Sequence, residues 1–159
     1  MAALDPGALL PRLPLQDENG NPFRAAEGET LYAAFKTTCP TCALAWPYLE
    51  RVREASEGGM RVVAISQDPA PAAREFQSRH GARIETAYDP QPWPASDALG
   101  LTTVPTFFRV AADGRVAETI EGWNRDRMRE LARRGATLAG RKAADIVRPG
   151  EQPPAMKPG

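Results

Sequence analysis

Cys39 and Cys42 are the only cysteines in the chain, and they stand at a junction that leaves the backbone few options. Just before them, Leu31-Tyr32-Ala33-Ala34-Phe35 is a short apolar run suited to a buried strand. Directly after them a helical pattern begins. Leu44, Tyr48, Leu49 and Val52 space an apolar face, Glu50, Arg51, Arg53 and Glu54 a solvated one, and Gly58-Gly59 is the stop. A strand that ends where a helix begins predicts Cys39 as the helix N-cap. Pro40 then takes the first helical position, where a missing N–H costs nothing. Side chains three apart meet on the first turn, so the two sulfurs come within reach of a disulfide. The unpaired N–H groups and the positive end of the helix dipole favour a thiolate at Cys39. The thiolate, not the thiol, is the nucleophile. The junction therefore predicts a redox-active Cys39-Pro40-Thr41-Cys42 dithiol.

Other uses of two cysteines fit less well. A structural zinc site needs four ligands, and beyond the pair the chain offers only His80, so no metal is expected within one chain. A purely structural disulfide across so short a loop removes little unfolded-chain entropy. With 20 basic and 20 acidic residues, the formal net charge is zero, so nothing directs the chain to nucleic acid or an anionic membrane. No run reaches the length of a membrane span. The opening Met-Ala-Ala-Leu-Asp-Pro shows no signal-peptide pattern. The expectation is a cytoplasmic monomer, in a compartment where disulfides are transient and catalytic.

In chain order, residues 1–12 read as a loose lead-in. Leu13-Pro14-Leu15, the turn cluster Asp17-Glu18-Asn19-Gly20-Asn21 and a return strand from Phe23 predict an N-terminal β-hairpin. Pro47 falls inside the helix that follows the cysteines and removes one of its hydrogen bonds. Arg61–Ser66 reads as a central strand, Pro69–His80 as a helix ended by Gly81, and Ile84–Tyr88 as a weaker strand. A Pro- and Trp-bearing loop leads to a short helix over Ser96–Leu99, capped by Ser96. Thr106–Val110 and Arg115–Ile120 flank Ala112-Asp113-Gly114 as a second hairpin. Asn124 caps a last helix to Leu138, with Met128, Leu131 and Leu138 inward. Residues 1–140 thus form one α/β domain with a central mixed sheet between helical layers. The Pro- and Gly-rich residues 141–159 are expected to be a disordered tail.

Several separate segments together resemble the thioredoxin superfamily, in its TlpA- and ResA-like redoxin branch, over about residues 13–138. LPLQDENGNPF is similar to the N-terminal hairpin of that branch, and the Cys39–Cys42 motif occupies its active-site position. Pro47 stands where thioredoxins carry a helix-kinking proline. Leu99–Phe108 is similar to the segment that holds their cis-proline. The resemblance implies a three-layer α/β/α thioredoxin-like fold with an added N-terminal hairpin. It implies that Pro105 is cis and faces the dithiol, with Val104 offering its backbone to a substrate strand. Thr38, Pro40 and Thr41 would border that substrate.

The chain also departs from the pattern. Thr38 replaces the usual Trp before the first cysteine, and Ala33 stands where thioredoxins bury an Asp. Neither Pro40 nor Thr41 supplies the Glu common in TlpA-like proteins. Lys36 is the nearby charge, a candidate thiolate stabiliser. His80 is read as a structural helix-end residue.

The implied activity is thiol-disulfide exchange. Cys39 would attack a protein disulfide and Cys42 would resolve the mixed disulfide, without metal or organic cofactor. A partner reductase would return the electrons. A peroxiredoxin-like thiol peroxidase is the alternative enzyme. That family places Thr or Ser three residues before its reactive cysteine, whereas here the positions hold Lys36 and Cys39. A non-catalytic redox-sensing module is the alternative outside enzymes.

Overall fold

The strand before the cysteines, β1 (Thr30–Phe35), is buried at all six positions, as expected of an apolar run with no polar face. Successive side chains of a strand point to opposite faces. Leu31, Ala33 and Phe35 therefore enter one core cluster, and Tyr32 and Ala34 another. A strand buried on both faces belongs at the centre of a sheet. In the computed structural model, which describes residues 2–24 and 27–159, β1 is the middle of five strands. It pairs in parallel with β2 (Arg61–Ser66) and antiparallel with β4 (Thr106–Val110). The outer strands are β3 (Glu85–Tyr88), parallel to β2, and β5 (Val116–Glu121), antiparallel to β4, giving the order β3-β2-β1-β4-β5. This is the expected mixed sheet.

Helices α1 (Pro40–Ser56), α2 (Ala70–Arg79) and α4 (Arg125–Leu138) share one face, where Leu49, Phe76 and Leu131 join the cluster of Leu31 and Phe35. The other face is covered by the short α3 (Pro94–Ala98) with Leu99, and by N-terminal residues such as Ala3 and Leu15. The layers are those of a thioredoxin-like α/β/α fold. At the crossing of α1 and α4, Gly135 lies so close to Ser56 that a Cβ would overlap its side chain. Asn124 caps α4 by accepting the Arg127 N–H at 3.1 Å, worth about 1 kcal/mol for such a cap.

Several expectations are corrected. The N-terminal hairpin forms but is short: among the described residues it holds one bridge, Gln16 to Pro22, flanked by the Asp17 N–H donating to the Asn21 carbonyl at 2.8 Å and the Phe23 N–H to the Leu15 carbonyl at 2.9 Å. Asp17 holds its turn by accepting the Asn19 and Asn21 N–H groups, and Gln16 also bridges Tyr88 at the edge of β3. Ala25 and Ala26, where the return strand would have run on, lie outside the described residues. Helix α3 is not capped by Ser96, which lies inside it. The buried Asp89 accepts the Ala95 and Ser96 N–H groups instead, at 2.9 and 2.7 Å. Leu138 is exposed rather than inward, and Glu50 is buried, clamped by Arg53 and the Arg83 N–H.

The largest correction concerns residues 141–159. They do not form a disordered tail but a strap packed along α1. Ile146 is buried against the α1–α4 layer, and Met156–Lys157 form β7, antiparallel to β6 (Trp123–Asn124). Proline-rich composition forbids a helix, but it permits an extended strap whose carbonyls accept from a neighbouring surface.

Candidate active site

The β1–α1 junction builds the site from the backbone upward. β1 ends at Phe35, and the loop is held by Asp68, whose carboxylate accepts the Thr37 N–H at 2.7 Å. Asp68 is itself set by a turn at the end of β2, where the Ser66 hydroxyl accepts the Asp68 N–H and donates to its carbonyl. Cys39 follows in extended conformation as the N-cap of α1, with Pro40 in the first turn. Its sulfur accepts the Cys42 N–H at 3.1 Å, in the place a capping oxygen would take. The same Sγ donates to the Val104 carbonyl at 3.3 Å. Both cysteines are free thiols.

The two sulfurs are not equivalent. Cys39 is half-buried and lines a cleft of about 400 Å³, whereas Cys42 has no exposed surface. Burial first, and then the hydrogen bond with Cys39, push the Cys42 thiol well above the ordinary cysteine range. Ala33, where a buried carboxylate had no residue to supply it, is fully buried among apolar neighbours.

The cleft also brings together Lys36, Pro40, Thr103 and Val104, so Val104 and Pro40 lie beside Cys39. The Val104–Pro105 peptide bond is cis, as the resemblance implied, and Pro105 is buried. Thr38 is exposed. Thr41 is buried and does not line the cleft; its hydroxyl donates to the Pro158 carbonyl at 2.7 Å. Lys36 shares the cleft, but its Nζ stands over the Trp93 ring, 5.9 Å from the centroid. A cation so placed is held by the ring's negative face. Trp46, by contrast, is wholly buried, packed on Phe35 and Phe76. His80 caps the C-terminus of α2 against Phe76, far in role from the dithiol.

Three contributors escaped the reading of the sequence. Asp68 gave only a weak turn signal with Ser66. Gln67 lines the cleft and donates to the Ser96 hydroxyl at 2.7 Å, while its buried Oε1 has no partner among the described residues. The strap brings Gly159 to the cleft wall, and no local pattern announces that. Among the described residues, no three His, Cys, Asp or Glu side chains converge as a metal site would require.

A dithiol at the N-terminus of a helix, beside a cis-proline loop and on a central mixed sheet, defines a thioredoxin-like redox protein. The redoxin family model matches residues 5–133, and the chain belongs to the redoxin family. No curated protein matches it. Similar solved structures share the fold at low identity. One is a protein from Chlorobium tepidum described as a candidate thiol:disulfide interchange protein DsbE, with a TM-score of 0.70 and 19% identity over 87% of this chain and 100% of that one. Another is a secreted Mycobacterium tuberculosis disulfide oxidoreductase, with a TM-score of 0.62 and 20% identity, covering 78% and 94%. StoA from Bacillus subtilis has a TM-score of 0.60 and 15% identity, covering 76% and 98%.

Proposed function

We propose that the protein is a thiol-disulfide oxidoreductase acting on protein disulfides. One observation carries this reading: a half-buried Cys39 that lines an open cleft at the helix end, with Cys42 fully buried behind it. In the first step the Cys39 thiolate attacks one sulfur of the substrate disulfide. A Cys39–substrate bond forms, the substrate bond breaks, and the departing thiolate takes up a proton. Cys42, once deprotonated, attacks the Cys39 sulfur and releases the second substrate thiol. The substrate gains two electrons, and the protein keeps a Cys39–Cys42 disulfide until a partner reductase returns two. The sulfurs alone carry the electrons, without metal or organic cofactor.

The helix N-terminus supports the first step. Its free N–H groups stabilise negative charge, and the Cys42 N–H already points at the Cys39 sulfur. Lys36 adds a positive charge within the same cleft. The Val104 carbonyl, beside Cys39, offers an edge on which an extended substrate segment pairs. Burial favours the protonated form of Cys42, and Ala33 supplies no carboxylate to take its proton, so resolution is the step expected to be slow.

Insulin-disulfide reduction measured beside peroxide consumption tests the reading. Reduction of insulin with no peroxide turnover is expected. Peroxide consumption alone would assign a thiol peroxidase, and activity in neither assay a redox-sensing module.

A further inference from the structure

Residues 141–159 lie beyond the stretch matched by the redoxin family, which ends at residue 133, and they approach the dithiol. Their course is held by specific contacts. Arg51 donates to the Ile146 carbonyl at 2.7 Å and forms a two-pronged pair with Glu151 at 2.6 and 2.9 Å. Trp123 Nε1 donates to the Pro154 carbonyl at 2.7 Å, and the Arg125 N–H to that of Ala155 at 2.9 Å. Met156–Lys157 then pair with Trp123–Asn124, and Thr41 donates to the Pro158 carbonyl. Gly122 has no Cβ because the Lys157 carbonyl occupies that space. Gly159 lies so close over Thr103 and the Val104 carbonyl that a side chain there would overlap them.

Val104 is the residue whose carbonyl receives the Cys39 thiol, and Thr41 lies inside the dithiol motif. An extended chain therefore already runs along the edge of the site. Beyond the buried Pro153 it is held by backbone carbonyls rather than by large side chains: Met156 is 71% exposed, and Pro154 and Pro158 are at the surface. A surface that grips an extended backbone in this way accepts other extended backbones.

We propose that residues 153–159 are an intramolecular stand-in for a substrate's extended segment. Its last residue, Gly159, lies over the Val104 carbonyl at one wall of the cleft into which Cys39 opens, and a protein disulfide pairs its own segment there by displacing it. Substrates are accordingly proteins that offer a flexible, extended segment next to their disulfide, with a small residue where the chain passes Val104. This rests on the dithiol-exchange reading above. A competitor docked nine-tenths of the time lowers apparent affinity about tenfold. Small thiol reagents, which need no groove, escape that penalty.

The full-length chain tests this with Glu151→Ala combined with Gly159→Leu. The first, at a half-buried position, loosens the Arg51 latch, and the second, at an exposed one, removes the fit over Val104. Labelling of Cys39 is measured with iodoacetamide and with a maleimide carried on a short extended peptide. The variant should react about tenfold faster with the peptide maleimide and within about twofold of the parent with iodoacetamide. A synthetic peptide of residues 152–159, added in excess, should slow the variant again. Equal peptide-maleimide rates in the two proteins would overturn the proposal, as would equal acceleration with both reagents. Insulin reduction separates this from the underlying activity. A labelling gain with no reduction by either form removes disulfide exchange and keeps the strap as a gate. Equal labelling with full reduction removes the strap and keeps the exchange.

Discussion

At the scale of single residues, the chemistry lies in the difference between two sulfurs three positions apart. Cys39 opens into the cleft, and Cys42 is sealed and held protonated by burial. A limiting amount of iodoacetamide on the reduced protein should therefore label Cys39 first, as located by mass spectrometry. Preferential labelling of Cys42 would reverse the roles. This asymmetry was legible in the sequence, because an N-cap followed by Pro40 sets both positions by local geometry alone. Residues that act across the fold were not legible. Asp68 grips the Thr37 N–H from the end of a different strand, and Asp89 caps α3 from a loop in place of Ser96. Glu50 belongs to the face of α1 that looked solvated. Burial alone would raise its carboxyl, but Arg53 and the Arg83 N–H outweigh that and hold it below the ordinary range. Only long-range contacts distinguish such a residue from a surface one.

At the scale of elements, the long-period patterns translated directly. The apolar runs became β1 and β2, and the helix through Pro47 formed with its ends near those expected. Its position is set by α4, whose crossing depends on the missing side chain of Gly135. Gly135→Ala gains about 1 kcal/mol of helix propensity. The new Cβ, however, overlaps the Ser56 side chain, and overpacking of this kind costs about 1–3 kcal/mol. We expect a net loss of stability, seen as a lower urea midpoint with an unchanged slope. Ser56→Gly in the same chain should recover most of it. A midpoint that Gly135→Ala leaves unchanged would show that the helices part without cost. Strand β7 was not legible at all. A two-residue strand among prolines has no periodicity, and it exists only because β6 stands 33 residues earlier to pair with it.

At the scale of the molecule, the strap joins the end of the chain to the dithiol, and its latch carries a pH signature. Pairing with Arg51 first, then the Arg148 N–H, depresses the Glu151 carboxyl from the ordinary 4.5 to about 2. A depressed carboxylate contributes to docking in full above 4.5, and the contribution is lost as pH falls through about 2. The strap should therefore stay docked from neutral pH down to about 4.5 and loosen only below it. The indole N–H of Trp123, bonded to the Pro154 carbonyl, reports this in NMR spectra. Release near neutrality would show that another group controls the latch. All of this serves one reaction, attack by Cys39 and resolution by Cys42, and trapping tests it most directly. Each cysteine is replaced by serine in turn, the reduced variants are mixed with a disulfide-bearing protein, and adducts are counted on non-reducing gels. Cys42→Ser should accumulate a mixed disulfide through Cys39, while Cys39→Ser should trap nothing. A stable adduct with Cys39→Ser and none with Cys42→Ser would contradict the mechanism.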